Sequence, residues 1–516
     1  MNTKKMLSLV LAVVMAAACF AGCGKKGDSS EGGESFSYYT YIGAAASLVT
    51  NLGDTEMYKE LEKQTGVHIN FEHPLESGAF NVMLASGEYP DMIENDWSSY
   101  PGAERQACED GILIDLTDMM EEHAPNYLKF LNEQVPEALP WVTTEGRFYT
   151  ITNLAAYDNY TSIGGLIIRK DLLDKYGLEV PKTIADWENV LSVFKENGVK
   201  YPISMTTANV RAYAPFMGAY DVCMNYYQDD DVMKYGYAEP EMKDVIELFS
   251  GWYKKGLLDN DVATQDNTTM QGKISNGDVG AWCGTLNDIQ KYTLALQKID
   301  PNAEVVAAPY PVLEEGGVNK IVYLDRVDGH TWANQVGITT ACKNPEKALE
   351  WLDYAFTEKG HMLFNFGIEG KSYNMVDGEP VYADEIVNNP DGLDFQTALS
   401  MYARPNSPGY IDERYMDQMY SSPAQVEAAK MWSENANKYE QAVVWRSRYK
   451  FNSEEAGNVN NLTLEFADYA QENFFKFITG LKPVSEFEAY VEELNKLGVP
   501  KVVKLYQDAY DKNIKK

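Results

Sequence analysis

The chain reads as an α/β protein of more than one domain that finishes in a helical region. Three observations predict this. Between residues 36 and 93 short apolar runs alternate with helical stripes, later segments repeat that grammar, and residues 462–498 carry helical periodicity alone. A body of about 480 residues also exceeds what one hydrophobic core holds.

The elements follow in order. Phe36 to Ile42 is a β-rich run, and Asn51 to Thr65 a helix stopped at Gly66. Val67 to Phe71 alternates as a strand. A helix through Phe80, Met83 and Leu84 stops at Gly87, and Asp91-Met92-Ile93 is a third strand. Phe148 to Asn153 and Gly165 to Ile168 read as strands. A helix begins near Asp171, and Thr183 to Asp186 resembles a capping box opening a helix with Trp187, Val190, Leu191 and Phe194 on one face. Val279 to Ala281, Val305 to Ala308 and Gln335 to Thr339 are further strands, and Pro345 to Phe356 is a helix with proline in its first turn. In the tail, a stripe through Leu462, Phe466, Tyr469, Phe474 and Phe477 ends at Gly480. Ser485 to Glu488 is a second capping-box pattern, before an apolar face from Phe487 to Leu497.

The amino end predicts the compartment. Lys4 and Lys5 precede an apolar run from Met6 to Phe20, which is too short to span roughly 30 Å of hydrocarbon and has the flanks of a secretory signal. Phe20-Ala21-Gly22-Cys23 resembles a lipoprotein lipobox, with Phe20 where leucine is usual, so Cys23 is the expected acylated N-terminus. Residues 24–34 contain no apolar side chain and cannot offset their ordering entropy, so they form a flexible tether. The expectation is an exported chain held by lipid at the outer face of the cell membrane.

A net charge of −33 disfavours nucleic acid, whose binding rests on basic side chains neutralising phosphates. Cys108, Cys223, Cys283 and Cys342 are far apart and show no metal-like spacing. His68, His73, His123, His330 and His361 match no zinc motif. Gly370-Lys371-Ser372 imitates the end of a P-loop, but Asn365 stands where the upstream glycine belongs. Carboxylates are abundant, yet no pair is singled out for glycoside hydrolysis. Asp229 to Asp231 and Asn388 to Gly392 are candidates for a structural calcium, without the EF-hand pattern. No cofactor is expected.

Several segments resemble the family 1 extracellular solute-binding proteins of ABC importers. They are Met83 to Ile93, Gly111 to Leu116, Ile168 to Leu173 followed by Val180 to Thr183, Ile274 to Trp282, Asn365 to Gly370, and Phe475 to Gly480. No single one is diagnostic; their order behind a lipobox is. The resemblance implies a two-lobed, periplasmic-binding-protein-like fold of type II, with hinge strands and a helical C-terminal region. It implies a signal peptide at 1–22, a tether at 23–35, lobe one at 36–155 with about 330–370 returning to it, and lobe two at 156–329 with about 371–516 returning to it. The implied function is non-catalytic capture of an oligosaccharide by a monomer that delivers it to membrane permease subunits. A peptide or modified sugar is the alternative ligand, and a cell-surface glycosidase the alternative activity.

A sugar site needs flat rings for C–H faces and planar polar groups for hydroxyls. Position selects the candidates. Tyr39 and Tyr41 flank the end of the first strand, and Asp96 and Trp97 follow the third. Tyr157 and Tyr160 lie just past the first presumed hinge, and Arg211 sits in a loop after Pro202 to Met205. Trp282 follows Val279 to Ala281, while Arg326 and Trp332 lie in the polar stretch leading to Gln335. Trp97 and Trp282 are the expected stacking platforms; Tyr373 and Arg404 are weaker candidates near later loops.

Overall fold

A computed structural model describes residues 33–74, 78–157, 159–207, 212–224, 226–319, 331–405, 407–438 and 451–513. The signal, Cys23 and most of the tether lie outside that set. Its strands are β1 Glu34–Tyr39, β2 Val67–Glu72, β3 Met92–Asn95, β4 Ile151–Ala155, β5 Gly164–Arg169, β6 Tyr201–Ile203, β7 Tyr226–Asp229, β8 Val232–Tyr235, β9 Val279–Thr285, β10 Val305–Ala308, β11 Thr331–Ile338, β12 Tyr373–Val376, β13 Glu379–Tyr382 and β14 Tyr410–Ile411. They form a six-stranded sheet in the order β14-β4-β11-β3-β1-β2, a four-stranded sheet in the order β10-β5-β9-β6, and two hairpins, β7-β8 and β12-β13.

Local patterning explains the elements. In β2, Val67, Ile69 and Phe71 are buried while the residues between them face water, the period-two signature of a half-buried strand. Helix Glu56–Thr65 is opened by the Thr55 hydroxyl, which accepts from the Tyr58 N–H, and closed by Gly66 at φ 69°. Thr183 and Asp186 form the expected reciprocal capping box. The second expected box is absent: Ser485 lies within a 3-10 turn at Val484–Glu486, and Glu486 caps helix Phe487–Leu497 without a side-chain bond. Proline at 483 sets up that tight turn instead.

Each sheet has its own core. Tyr38, Met92, Ile151, Val336, Ile338 and Trp351 cluster against the first; Leu166, Ile168, Trp187, Phe194, Trp252 and Trp282 cluster against the second. The long helix Ser453–Thr479 lies against helix Met242–Lys255 in the second body. There Phe474 and Phe475 meet Tyr213 edge-on at 5.8 and 5.6 Å.

Strand direction locates the junction between the bodies. β1, β2 and β3 are parallel, β11 opposes β3 and β4, and β14 runs with β4, so β1, β2, β3, β4 and β14 all end at one rim. The chain leaves that rim after Ala155 and after Ile411, and re-enters at Thr331. In the second sheet β6, β9 and β10 likewise end toward the side where β5 begins. Residues 371–411, which the sequence places with the second lobe, also bond to the first. Lys371 meets Glu56 at 2.9 Å, the Met57 N–H donates to the Met401 carbonyl at 3.1 Å, and β14 extends the first sheet.

Candidate functional site

Both sheets present strand carboxyl ends to the junction, where ligands of open α/β sheets bind. On the first-body side the floor is β4, β11 and β3. Register sets Gln335 opposite Thr152 on one side and Asn95 on the other. Gln335 and Asn153 are more than nine-tenths buried, and the Gln335 Oε1 and Asn153 Oδ1 atoms have no hydrogen-bond donor. The Ser407 hydroxyl, on the loop before β14, is in the same state. Buried polar atoms are ordinarily paired, so these are candidate places for water or a ligand, although unpartnered atoms also occur within the cores, at Tyr127 and Tyr490.

Behind this floor lies a buried charge network. The Glu94 carboxylate accepts from the Tyr38 hydroxyl at 2.8 Å, the Thr40 hydroxyl at 2.7 Å and the Arg404 guanidinium at 3.0 Å. Arg404 also donates to the Thr40 hydroxyl at 2.8 Å and the Ser407 carbonyl at 3.2 Å. Burial and the Glu94 charge push the Tyr38 hydroxyl well above its ordinary pKa. Arg404 thus pins the loop before β14 to the ends of β1 and β3. The second strand crossing is clamped too. Tyr410 is stacked between Phe130 at 3.9 Å and the His361 ring at 3.8 Å, and His361 Nε2 meets Asp412 at 2.8 Å.

The residues singled out from sequence fare differently. Trp97 is fully buried, edge-on to Phe80 at 5.5 Å, and Trp282 is 1% exposed, edge-on to Tyr292 at 5.3 Å. A methyl on Gly337 would stand 3.3 Å from Trp97 and 2.5 Å from Leu113, so glycine there makes room for this packing. Both tryptophans are thus buried among core side chains, where the sequence suggests stacking platforms. A ring at a strand end can turn inward or outward, and here the core offered the larger apolar contact. Tyr39 joins the Trp97 cluster, its hydroxyl pushed up to about 12 mainly by burial. Tyr41, half exposed, remains at the rim. Asp96 turns its carboxylate back to Ser98, accepting from its N–H at 3.0 Å and its hydroxyl at 2.6 Å.

Tyr157 and Tyr160 do lie on the first crossing, edge-on to each other at 5.9 Å. The Tyr160 hydroxyl donates to Asp417 at 2.7 Å, and Asn159 to Glu413 at 2.6 Å, joining this crossing to the helix after β14. Arg211, Arg326 and the Trp332 side chain lie outside the described residues. Gln335, Asn153, Ser407 and Glu94 escaped sequence reading. A glutamine and a Thr-Asn pair inside otherwise apolar strands were the available signal.

On the second body, a cavity of about 400 Å³ opens beside Thr207, just past β6, with Asp468, Gln471, Glu472 and Phe475 in its wall. The acidic turn Asp229–Asp231 is committed elsewhere: Asp229 pairs with Lys234 at 2.7 Å and Asp231 accepts from Tyr510 at 2.9 Å. Asn389 uses its side chain to accept from the Asp391 and Leu393 N–H groups within its own loop. Among the described residues, no group of three His, Cys, Asp or Glu side chains could hold a metal. Among the same residues, no helix is long and apolar enough to cross a membrane.

Two bodies joined by strand crossings, with polar strand ends facing the junction, define a two-lobed binding protein. Residues 45–362 match the family model for bacterial extracellular solute-binding proteins, and the chain belongs to that family. It is 22% identical over 483 residues to the fructooligosaccharide ABC transporter substrate-binding protein FusA of Streptococcus pneumoniae, covering 88% of this chain and 86% of the relative. It is 23% identical to the lipoprotein LipO of Bacillus subtilis, over 80% of this chain and 82% of that one. The fold superimposes on a calcium-free alginate-binding protein with a TM-score of 0.74 at 20% identity, covering 94% of this chain and 99% of the other.

Proposed function

We propose that the protein captures an oligosaccharide between its two lobes and presents it to an ABC permease, tethered to the outer membrane face by acylated Cys23. The observation that carries this reading is the first-body floor. Gln335 on β11, Asn153 on β4 and Ser407 before β14 hold buried polar atoms without partners on the segments that cross between the lobes. Such groups suit a ligand that brings many hydroxyls, as the sugars named for the relatives do. Lobe one is proposed as 36–155 with 331–411, and lobe two as 164–319 with 413–513, since Arg404 and β14 tie the later segment to the first sheet. Tyr41, half exposed at the rim, is the aromatic candidate for the first-body wall, with Phe475 added from the second body, while Tyr157 and Tyr160 are buried on the first crossing.

The proposed mechanism is a shift of population. Ligand contacts with both lobes favour the closed arrangement, and the crossings at 155–164 and 411–413 absorb the rotation. In this reading the ligand is held and released unchanged, as suits a chain whose relatives are named as binding proteins. Calorimetry of the mature chain against gluco-, manno-, galacto-, xylo- and fructo-oligosaccharides tests the reading. Saturable binding without product formation supports it; binding to none of them, or release of shorter sugars, refutes it.

A further inference from the structure

We infer that the outer edge of the second sheet is a docking groove for an extended, basic segment of a partner protein. The inference is independent of the sugar reading above, because the groove runs along the flank of β10 and not across the strand ends.

β10 is an edge strand of its sheet. Beside it lies a cavity of about 570 Å³, within the range usual for ligand sites. Helix Pro423–Lys438 forms one wall, where Ala424, Ala428 and Met431 fall at helical spacing and turn an apolar face to the cavity, with Glu427 among them. Val180 and Val312 line it from the loops on the other side of the strand edge. Hydrogen bonds hold both walls in place. The Trp432 indole N–H donates to the Ala308 carbonyl at 3.1 Å. The Val312 N–H donates to the Lys182 carbonyl at 3.1 Å, and its own carbonyl accepts from the Ile184 N–H at 2.9 Å. A groove fixed in this way needs little ordering when a segment enters it.

The main chain says what kind of segment fits. The Lys170 N–H donates to the Glu304 carbonyl at 2.8 Å, and register sets Val305 opposite Arg169. An antiparallel ladder alternates, so Val306 and Ala308 turn their N–H and C=O groups to β5, while Ala307 turns both of its own outward along the cavity it lines. Val305 also faces outward, but its N–H is met by the Thr293 hydroxyl at 3.4 Å. Among the described residues, nothing meets the N–H and C=O of Ala307. Such a pair on an open edge is what an added strand bonds to, and a side chain of that strand then enters the apolar pocket. Charge selects further. Lys170 is paired with Asp174, and Lys182 borders Asp186, which accepts from its N–H at 3.2 Å. Glu315 and Glu427, both exposed in the cavity wall, make no ion pair among the described residues. In a chain of net charge −33, these two carboxylates favour a cationic segment.

Fluorescence anisotropy on the mature, unaltered chain tests the inference with two labelled, end-blocked peptides, Lys-Val-Leu-Val-Lys and Glu-Val-Leu-Val-Glu. The basic peptide is expected to bind saturably and about tenfold or more tighter than the acidic one. Ala307→Pro removes the outward N–H, a change an edge strand tolerates, and Ala424→Trp fills the groove from the helix. Each is expected to weaken the basic peptide by about tenfold or more, with a melting temperature close to that of the parent. Should Ala307→Pro fail to fold, Ala424→Trp alone decides. No saturable binding up to about 1 mM, or equal binding of the two peptides, overturns the inference. So does parent-like binding to a folded Ala424→Trp protein, which puts the peptide elsewhere.

Discussion

A buried carboxylate near the strand ends of one body and its counterpart in the other are partnered in opposite ways. In the second body Asp259, 2% exposed, accepts from Ser204 at 2.7 Å, Gln265 at 3.0 Å and Lys273 at 2.8 Å. Lys273 lies only 14 residues away in sequence. In the first body Glu94, 3% exposed, is neutralised by Arg404, which lies 310 residues away. A local pair fastens one loop to its own lobe. The distant pair instead binds a crossing segment to the sheet, so its loss reaches the site. The contrast teaches that similar buried ion pairs serve stability in one place and hinge geometry in another.

Substitutions can break or sharpen this contrast. Trp282→Ala is expected to cost about 3–5 kcal/mol of stability in urea titration, because it empties a filled core. A folded remnant should bind sugar nearly as well as the parent; a specific loss of affinity would restore the stacking role. Arg404→Met strands Glu94 and is expected to cost about 3 kcal/mol and to weaken ligand binding measurably. Lys273→Met leaves Asp259 two neutral donors and should cost about 1–3 kcal/mol with affinity unchanged. Equal effects of both changes on affinity would erase the distinction between the two pairs.

A third buried carboxylate gives a pH signature. Burial alone would raise the Asp412 carboxyl, but hydrogen bonds from His361 and Arg414 outweigh it and hold it well below the ordinary range. Stability from a depressed carboxylate is full above its unfolded value of about 4 and drains as the pH falls below it. Urea midpoints measured between pH 6 and 2.5 should show this fall, and Asp412→Asn should flatten it.

The α/β plan could be read from sequence because β2, β5 and β10 carry strong period-two or fully apolar runs and the tail a clean helical stripe. The β7-β8 and β12-β13 hairpins and two-residue β14 carry patterns too short to register, although β14 completes the first sheet. The site was harder. Trp97 and Trp282 have the chemistry of platforms, yet their side chains turn into the cores, a choice of rotamer that composition does not reveal. Gln335 looked like an ordinary strand residue, since its unmet oxygen exists only once β4 and β3 flank it.

The reach of Arg404 has a consequence for how the molecule is made. A chain emerging from its amino end has produced roughly four-fifths of its 516 residues before β14 can close the first sheet. Until then Glu94 sits beside β1 without its countercharge. Maturation of the leading half must therefore await the trailing one, and a chain truncated before residue 404 should be prone to aggregate rather than yield an independent amino-terminal domain.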